Sequence, residues 1–228
     1  MIKVEHIDVY GWKAAVRGMR NPMNSWDRSD SEFYGPDRVE IIGLNDQELM
    51  MKLAKGGAVH AKYRRMISVT MDITAPLYFW KHLDTYSVGT STNSTSTMHK
   101  IHGKEFTLDD FSHEHLINYE SMAENEITAL VLEGYPHIFC SGLQMLQLTV
   151  GALNYHRKQY LETGDKRYWW QMIQLLPSSY TQLRTWSANY EVLARIYRDR
   201  KDHKLDEWHD FCDMIRGLPH SEIITLEE

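Results

Sequence analysis

The decapeptide ISVTMDITAP, residues 67–76, decides the fold class of this chain. Its apolar and polar residues alternate, so that successive side chains of an extended backbone point to opposite sides. One side carries Ile67, Val69, Met71 and Ile73, and the other carries Ser68, Thr70 and Asp72. Period two with one polar side predicts a half-buried strand, which Ala75-Pro76 ends because proline has no N–H for the ladder. Ile2 to Tyr10 is a second strand candidate.

Helical patterns occupy most of the remaining chain. Asn45 is expected to cap a helix that ends at Lys55 before Gly56-Gly57, and Thr107 is expected to cap another. Three apolar stripes at helical spacing predict further helices. They are Leu143, Leu146, Val150 and Leu153; Val192, Leu193, Ile196 and Tyr197; and Leu205, Trp208, Phe211, Cys212 and Ile215. The predicted class is therefore α+β, with helices outweighing strands.

Length and composition limit the classes of protein that the chain can belong to. It has 228 residues, a formal charge of −6 and 43% hydrophobic residues, which is typical of one folded domain over residues 1–228 and not of disorder. No apolar run reaches about 18 residues, and the N-terminus does not resemble a signal peptide, so we expect no membrane span and a cytoplasmic protein. The mild acidity argues against a broad nucleic-acid interface but permits a small pocket for an anionic ligand.

The common catalytic and metal-binding motifs are missing from the sequence. It has no phosphate loop, dinucleotide fingerprint or nucleophile elbow. His113-Glu114-His115 places its two histidines on different faces of a helix, so we predict no metal site there. Cys140 and Cys212 cannot form a disulfide framework, and we interpret both as buried apolar positions because nothing nearby in sequence would activate a thiol.

Residues 87–98, SVGTSTNSTSTM, form a polar segment with two possible roles. One is a solvated loop that caps the next element. The other is the wall of a ligand site, because hydroxyl and amide groups bind neutral polar groups or phosphate. The aromatic segment Leu77 to Trp80 upstream and His99-Lys100 downstream favour the second role.

The order of these motifs resembles the flavin-dependent thymidylate synthase (ThyX) family. That family has a strand ending in Ala-Pro, followed by R-H-R-x-x-S-x-N-E-x-S-x-R. Here Ala75-Pro76 is followed by Ser91-x-Asn93-x-x-Ser96, with about one inserted residue. Val59-His60 stands where the family has Gly-His. Further matches are Leu176-Pro177-Ser178-Ser179-Tyr180-Thr181, Asn189, Leu193, Arg195, Arg200, His203 and Glu207.

The resemblance implies an α+β fold with a central sheet and flanking helices, assembled as a homotetramer with FAD bound where subunits meet. It implies transfer of a methylene group from methylenetetrahydrofolate to dUMP, with reduction through the flavin by NADPH. The predicted function is therefore that of a divergent thymidylate synthase-like protein that binds a pyrimidine nucleotide and, if active, converts dUMP to dTMP. The alternatives are a catalytically silent protein that binds or sequesters a nucleotide, and an interaction protein that kept only the oligomeric fold.

Several cationic positions of the family motifs are changed. Tyr86-Ser87-Val88 aligns with R-H-R, Ser94 with the motif Glu, and Met98 with the motif's last Arg, while Glu191 replaces the Arg of N-x-R. Each charge-assisted bond to an anion contributes about 1.5–3 kcal/mol, so these losses need replacement. Candidate replacements are Arg64, Arg65, Lys81, His82, His99, Lys100, Arg184 and Arg195. Glu191 and Arg195, four residues apart, could equally pair with each other.

The resemblance implies a nucleotide- or cofactor-binding site, with no metal and no assigned catalytic residue. Its predicted wall is His60, Arg65, Ser91, Asn93, Ser94, Ser96, Asn189, Arg195 and Arg200. The serines would contact a phosphate or a base, and the arginines would supply positive charge.

Overall fold

The computed structural model describes residues 2–34, 38–118 and 141–226. The chain divides into two compact units. The first comprises Met1–Thr74, Phe79–Ser94 and Leu183–Glu228, and the second comprises Ala75–Tyr78 and Thr95–Gln182. The single domain expected over residues 1–228 stays a prediction. Cys140 lies outside the described residues.

The strands of the described residues form two sheets. The strands are β1 (Lys3–Tyr10), β2 (Glu32–Tyr34), β3 (Arg38–Ile41), β4 (Ser68–Pro76), β5 (Ser91–Ser94) and β6 (Thr181–Asn189). The main antiparallel sheet has the order β1-β4-β6-β5, and β2 pairs with β3 in a separate ribbon. Both predicted strands are confirmed as β1 and β4.

The solvated loop, one of the two roles considered for the polar segment, is wrong at residues 91–94. These residues form β5, which lies at the edge of the sheet, with Ser91 opposite Ser187 and Ser94 opposite Arg184. An edge strand needs only one partner, and short polar side chains are tolerated there because both sides of β5 are exposed.

Helices make up most of the remaining structure. They are α1 (Trp12–Arg20), α2 (Leu44–Lys55), α3 (Leu77–Leu83), α4 (Gly142–Thr163), α5 (Lys166–Leu175), α6 (Tyr190–Arg200), α7 (Asp206–Arg216) and α8 (Glu222–Thr225). The three predicted apolar stripes fall on α4, α6 and α7. Within the described part of the chain, no helix is both long and apolar enough to cross a membrane.

One of the two predicted helix caps is wrong, and the other caps a shorter element than expected. Asn45 does not cap α2, because the carboxylate of Asp30 accepts the backbone N–H groups of Asn45 at 3.0 Å and Asp46 at 3.2 Å. Thr107 is an N-cap residue as predicted, in a capping box whose Asp110 carboxylate accepts the N–H of Thr107 at 2.9 Å, but it caps only the single 3₁₀ turn Leu108–Asp110 and no longer helix. That turn ends at once because Phe111 bridges to Tyr180.

An aromatic cluster forms much of the core of the first unit. Its fully buried members include Phe79, Trp80, Tyr190, Tyr197, Trp208 and Phe211. The ring centroids of Phe79 and Trp208 are 4.8 Å apart, and those of Trp186 and Phe211 are 5.9 Å apart. Cys212 is buried in the same unit, and this burial raises the pKa of its thiol to about 11, as expected for a packing residue.

The second unit has its own apolar core. The buried residues of this core are Ile101, Phe106, Phe111, Leu146, Leu153 and Met172. Asn154 fixes the segment beside α4, because its side-chain amide accepts the N–H and donates to the C=O of Phe106, each at 2.8 Å.

Candidate functional site

A cavity of about 350 Å³ lies in the first unit, at the junction of β6 and α6. Its lining residues are Arg65, Val88, Gly89, Asn189, Glu191, Val192 and Arg195. The structure therefore brings together three of the predicted wall residues: Arg65, Asn189 and Arg195. They come from the 3₁₀ turn before β4 and from the start of α6.

Asn189 lines the cavity and is also the N-cap residue of α6. Its Oδ1 accepts the backbone N–H groups of Glu191 and Val192, both at 3.1 Å. The cap fixes where the chain leaves β6 and begins the helix. The N-terminal end of α6, which carries partial positive charge, consequently borders the cavity.

Gly89 brings the chain close to α6. Its φ of +82° lies in the left-handed region, which side chains disfavour. A Cβ at this position would lie 3.1 Å from Cγ2 of Val192 and 3.3 Å from Nδ2 of Asn189. Only glycine lets this segment form the cavity wall without displacing the capping residue.

The charge of Glu191 is compensated inside the first unit. Nε of Arg64 lies 3.3 Å from Oε2 of Glu191, and the Arg64 side chain is only 5% exposed. Nη1 of Arg64 also donates to the carbonyl of Ile223 at 3.1 Å. The alternative in which Glu191 pairs with Arg195 is wrong, because the buried Arg64 takes that role.

Arg65 and Arg195 are the two exposed cations of the cavity. Neither forms an ion pair with any residue that the structure describes. The guanidinium of Arg195 lies 5.0 Å from the ring centroid of Tyr86, a cation–π contact that leaves its N–H groups available. The cavity can therefore attract an anion with two guanidinium groups.

Tyr86 contacts two arginines of α6, Arg195 and Arg200. In the sequence comparison above, Tyr86 stands at the position of the first Arg in R-H-R. Nε of Arg200 donates to its Oη at 2.8 Å, and the Arg200 guanidinium lies 5.1 Å from the Trp208 ring centroid. Arg200 itself lies outside the cavity lining, because the next turn of α6 packs it against these rings. Arg195 and Arg200 thus place two guanidinium groups beside the Tyr86 ring.

The remaining predicted wall residues do not line the cavity. Ser91, Asn93 and Ser94 are exposed on β5, and His60 is exposed before the 3₁₀ turn Ala61–Met66. Ser96 belongs to the second unit, where its Oγ accepts the N–H of His99 at 2.9 Å.

The predicted wall lacks Val88 and Gly89, which line the cavity, and it lacks Arg64, which lies outside the lining but pairs with Glu191. The glycine of Val88-Gly89, inside a polar segment, indicates a turn with positive φ and is the one sequence feature that could have located this part of the wall. Arg64 appeared only among eight possible replacement cations, because sequence does not show which of two adjacent arginines is buried.

A histidine pair lies beside the same aromatic core. Nε1 of Trp208 donates to Nδ1 of His82 at 3.1 Å, and the ring centroids of His82 and His203 are 5.1 Å apart. Burial first, then the charge of Arg200 and the neighbouring His203, lowers the pKa of His82. An Nδ1 that accepts a hydrogen bond is unprotonated, so the geometry and the lowered pKa agree. No cluster of three or more metal-ligating side chains occurs among the described residues.

Comparisons with solved structures identify the architecture as the ThyX fold. Thymidylate Synthase X from Helicobacter pylori, crystallised with FAD and dUMP, superposes with a TM-score of 0.63 at 17% identity, over 100% of this chain and 98% of that chain. The UMP/dUMP methylase PolB from Streptomyces cacaoi, bound with 5-Br UMP, gives 0.58 at 14% identity, over 95% and 88%. No family model and no curated protein matches the sequence. The likeness shows the fold, which confirms the architecture that the resemblance implied.

Proposed function

We propose that this protein binds a pyrimidine nucleotide in the cavity at the start of α6, with the nucleotide phosphate contacted by Arg65 and Arg195. The observation that carries the proposal is that both arginines line one cavity and lack an acidic partner among the described residues. Each charge-assisted bond to a phosphate oxygen contributes about 1.5–3 kcal/mol, so the pair supplies about 3–6 kcal/mol of the roughly 8 kcal/mol that a micromolar ligand needs.

The charge balance of the cavity supports an anionic ligand. Glu191 would repel a phosphate if its charge stood alone, but Arg64 lies 3.3 Å away and offsets it. The two remaining cations and the N-terminal end of α6 favour an anion together. Glu191 stands where the family motif has an arginine. Because Arg64 offsets its charge, it is nevertheless compatible with phosphate binding.

The nucleotide class rests on cavity size and on the solved neighbours. A volume of about 350 Å³ is at the lower end of small-molecule sites, which suits a mononucleotide. The structures that share this fold hold dUMP in one case and 5-bromo derivatives of UMP or dUMP in the other.

Calorimetric titration with pyrimidine nucleoside monophosphates tests the proposal. We expect saturable binding, and at least about tenfold weaker binding in Arg65→Ala and Arg195→Ala, because each loses a charge-assisted bond. Arg198→Ala is the matched control, since Arg198 is an exposed arginine of the same helix outside the cavity lining. Absence of binding, or equal affinity in Arg195→Ala and Arg198→Ala, would overturn the proposal.

A second candidate function is flavin-dependent methylation of the bound nucleotide, as the family resemblance implies. The neighbour that was crystallised with FAD favours it, and the guanidinium groups of Arg65 and Arg195 suit a flavin phosphate as well as a nucleotide phosphate. FAD would supply the reduction of the transferred methylene group, with NADPH as reductant and methylenetetrahydrofolate as donor. The homotetramer also belongs to this candidate.

Visible absorbance after incubation with FAD and gel filtration tests the second candidate. Retained flavin bands, followed by turnover of dUMP with methylenetetrahydrofolate and NADPH, would support an enzyme. A colourless protein that still binds nucleotides would support the catalytically silent alternative. Light scattering on the same gel-filtration peak measures whether the chain is a tetramer.

A further inference from the structure

We propose that Glu191 makes the cavity select cytosine nucleotides over uracil nucleotides. This inference rests on the proposed function, because it concerns the base of the nucleotide whose phosphate the arginines contact. It assigns to Glu191 the role of a specificity-determining residue.

Glu191 and Arg195 present opposite charges to one cavity. They are four residues apart on α6, so their side chains share one face of the helix, and both line the cavity. Arg65 adds a second cation from the preceding 3₁₀ turn. A lining with a cationic part and a carboxylate suits a ligand that has an anionic group and a separate hydrogen-bond donor.

The Glu191 carboxylate retains acceptor capacity. Its Oε2 is buried against Nε of Arg64 in an ion pair without a hydrogen bond, so the acceptor left for a ligand is Oε1, which forms no hydrogen bond within the described structure. The side chain keeps 22% of its surface exposed. An ionised carboxylate can only accept hydrogen bonds, so Glu191 offers the cavity an acceptor and no donor.

The two pyrimidine bases differ at the group that such an acceptor would read. Cytosine carries an amino group at N4, which donates, whereas uracil carries a carbonyl oxygen at O4, which only accepts. Uracil also has an N3–H donor, so the discrimination requires that the carboxylate face position 4, where it accepts from the cytosine amino group and repels the uracil carbonyl oxygen. A hydrogen bond to a charged group corresponds to about tenfold or more in affinity.

Calorimetric titration with dCMP and dUMP tests the inference through the ratio of their dissociation constants. We expect the wild-type protein to bind dCMP at least about tenfold more tightly than dUMP. Glu191→Gln keeps the shape of the side chain but adds a donor, so the ratio should approach one. Arg195→Ala should weaken both nucleotides and leave the ratio unchanged, since it removes a phosphate contact.

The inference is overturned if dUMP binds as tightly as dCMP, or if Glu191→Gln leaves the ratio unchanged. Loss of the carboxylate leaves the buried Arg64 side chain without its ion-pair partner. Circular dichroism therefore checks that Glu191→Gln folds. If it does not, Arg64→Met/Glu191→Gln removes both charges and gives the same ratio test. If neither dCMP nor dUMP binds to the wild-type protein, the proposed function itself is contradicted.

Discussion

Nε of Arg64 lies 3.3 Å from Oε2 of Glu191, and this ion pair sets the charge of the cavity at the start of α6. With Arg64 in place, Glu191 is compensated, and Arg65 and Arg195 leave the cavity positive. Without Arg64, the carboxylate would stand unopposed near any bound phosphate. A residue outside the cavity lining therefore controls what the cavity attracts.

Replacement of Arg64 tests this control. We expect Arg64→Met to lower the free energy of unfolding by about 2 kcal/mol, because it leaves a partly buried carboxylate unpaired, and to weaken nucleotide binding. Adding Glu191→Gln should recover part of the stability, with a coupling energy of about 1 kcal/mol or more in a double-mutant cycle. Urea denaturation measures all three variants. Strictly additive losses would show that the two side chains do not interact.

Asn189 allows capping and ligand binding to be separated. Asn189→Ala should cost about 1 kcal/mol of stability, because two N–H groups of α6 lose their acceptor. Asn189→Asp keeps an acceptor at the cap and should fold with nearly wild-type stability, but its negative charge should weaken nucleotide binding. Thermal denaturation and calorimetric titration measure the two effects. Equal destabilisation by both substitutions would contradict the capping role.

Gly89 and Gly57 form a matched pair for the cavity wall. Both have positive φ, +82° and +86°, but a Cβ at Gly57 would meet nothing within 4 Å. Gly57→Ala should therefore cost only the backbone strain of about 1 kcal/mol, whereas Gly89→Ala should cost more and reduce nucleotide affinity. Chemical denaturation of the two variants gives the comparison. A smaller loss for Gly89→Ala than for Gly57→Ala would exclude the close approach to α6.

The His82 pair predicts acid sensitivity. Because the folded state lowers the pKa of His82 below its ordinary 6.5, the unfolded chain binds the proton more readily. Its contribution to stability is thus complete above about pH 6.5 and is lost as the pH falls toward the lowered pKa. His82→Asn can still accept from Trp208 and should flatten this decline, whereas His6→Asn on exposed β1 should not. Urea midpoints between pH 7.5 and 5 measure it; parallel curves would argue against the effect.

The elements predicted correctly from sequence are those that local pattern determines. The alternation from Ile67 to Ile73 survives in β4 because one face of that strand is buried and the other is polar. The stripes on α4, α6 and α7 reflect one buried side of each helix. Asn45 was mistaken for a cap because the acceptor comes from Asp30, on a different segment.

The candidate site was predicted only in part, because it depends on contacts between distant segments. Arg64 and Arg65 are adjacent in sequence, yet one is buried against Glu191 and the other is exposed in the cavity. The polar residues Ser91 to Ser94 have a composition typical of a loop, and they form a strand because β6 pairs with them. Neither fact can be obtained from residue type and spacing.

Titration of the wild-type protein and Arg195→Ala with dCMP, under identical salt, tests the central claim most directly. The account predicts saturable one-to-one binding by the wild-type protein and at least about tenfold weaker binding by the variant, with the folded state unchanged by circular dichroism. Equal affinity in both proteins, or no binding of any pyrimidine nucleotide by the wild-type protein, would contradict it.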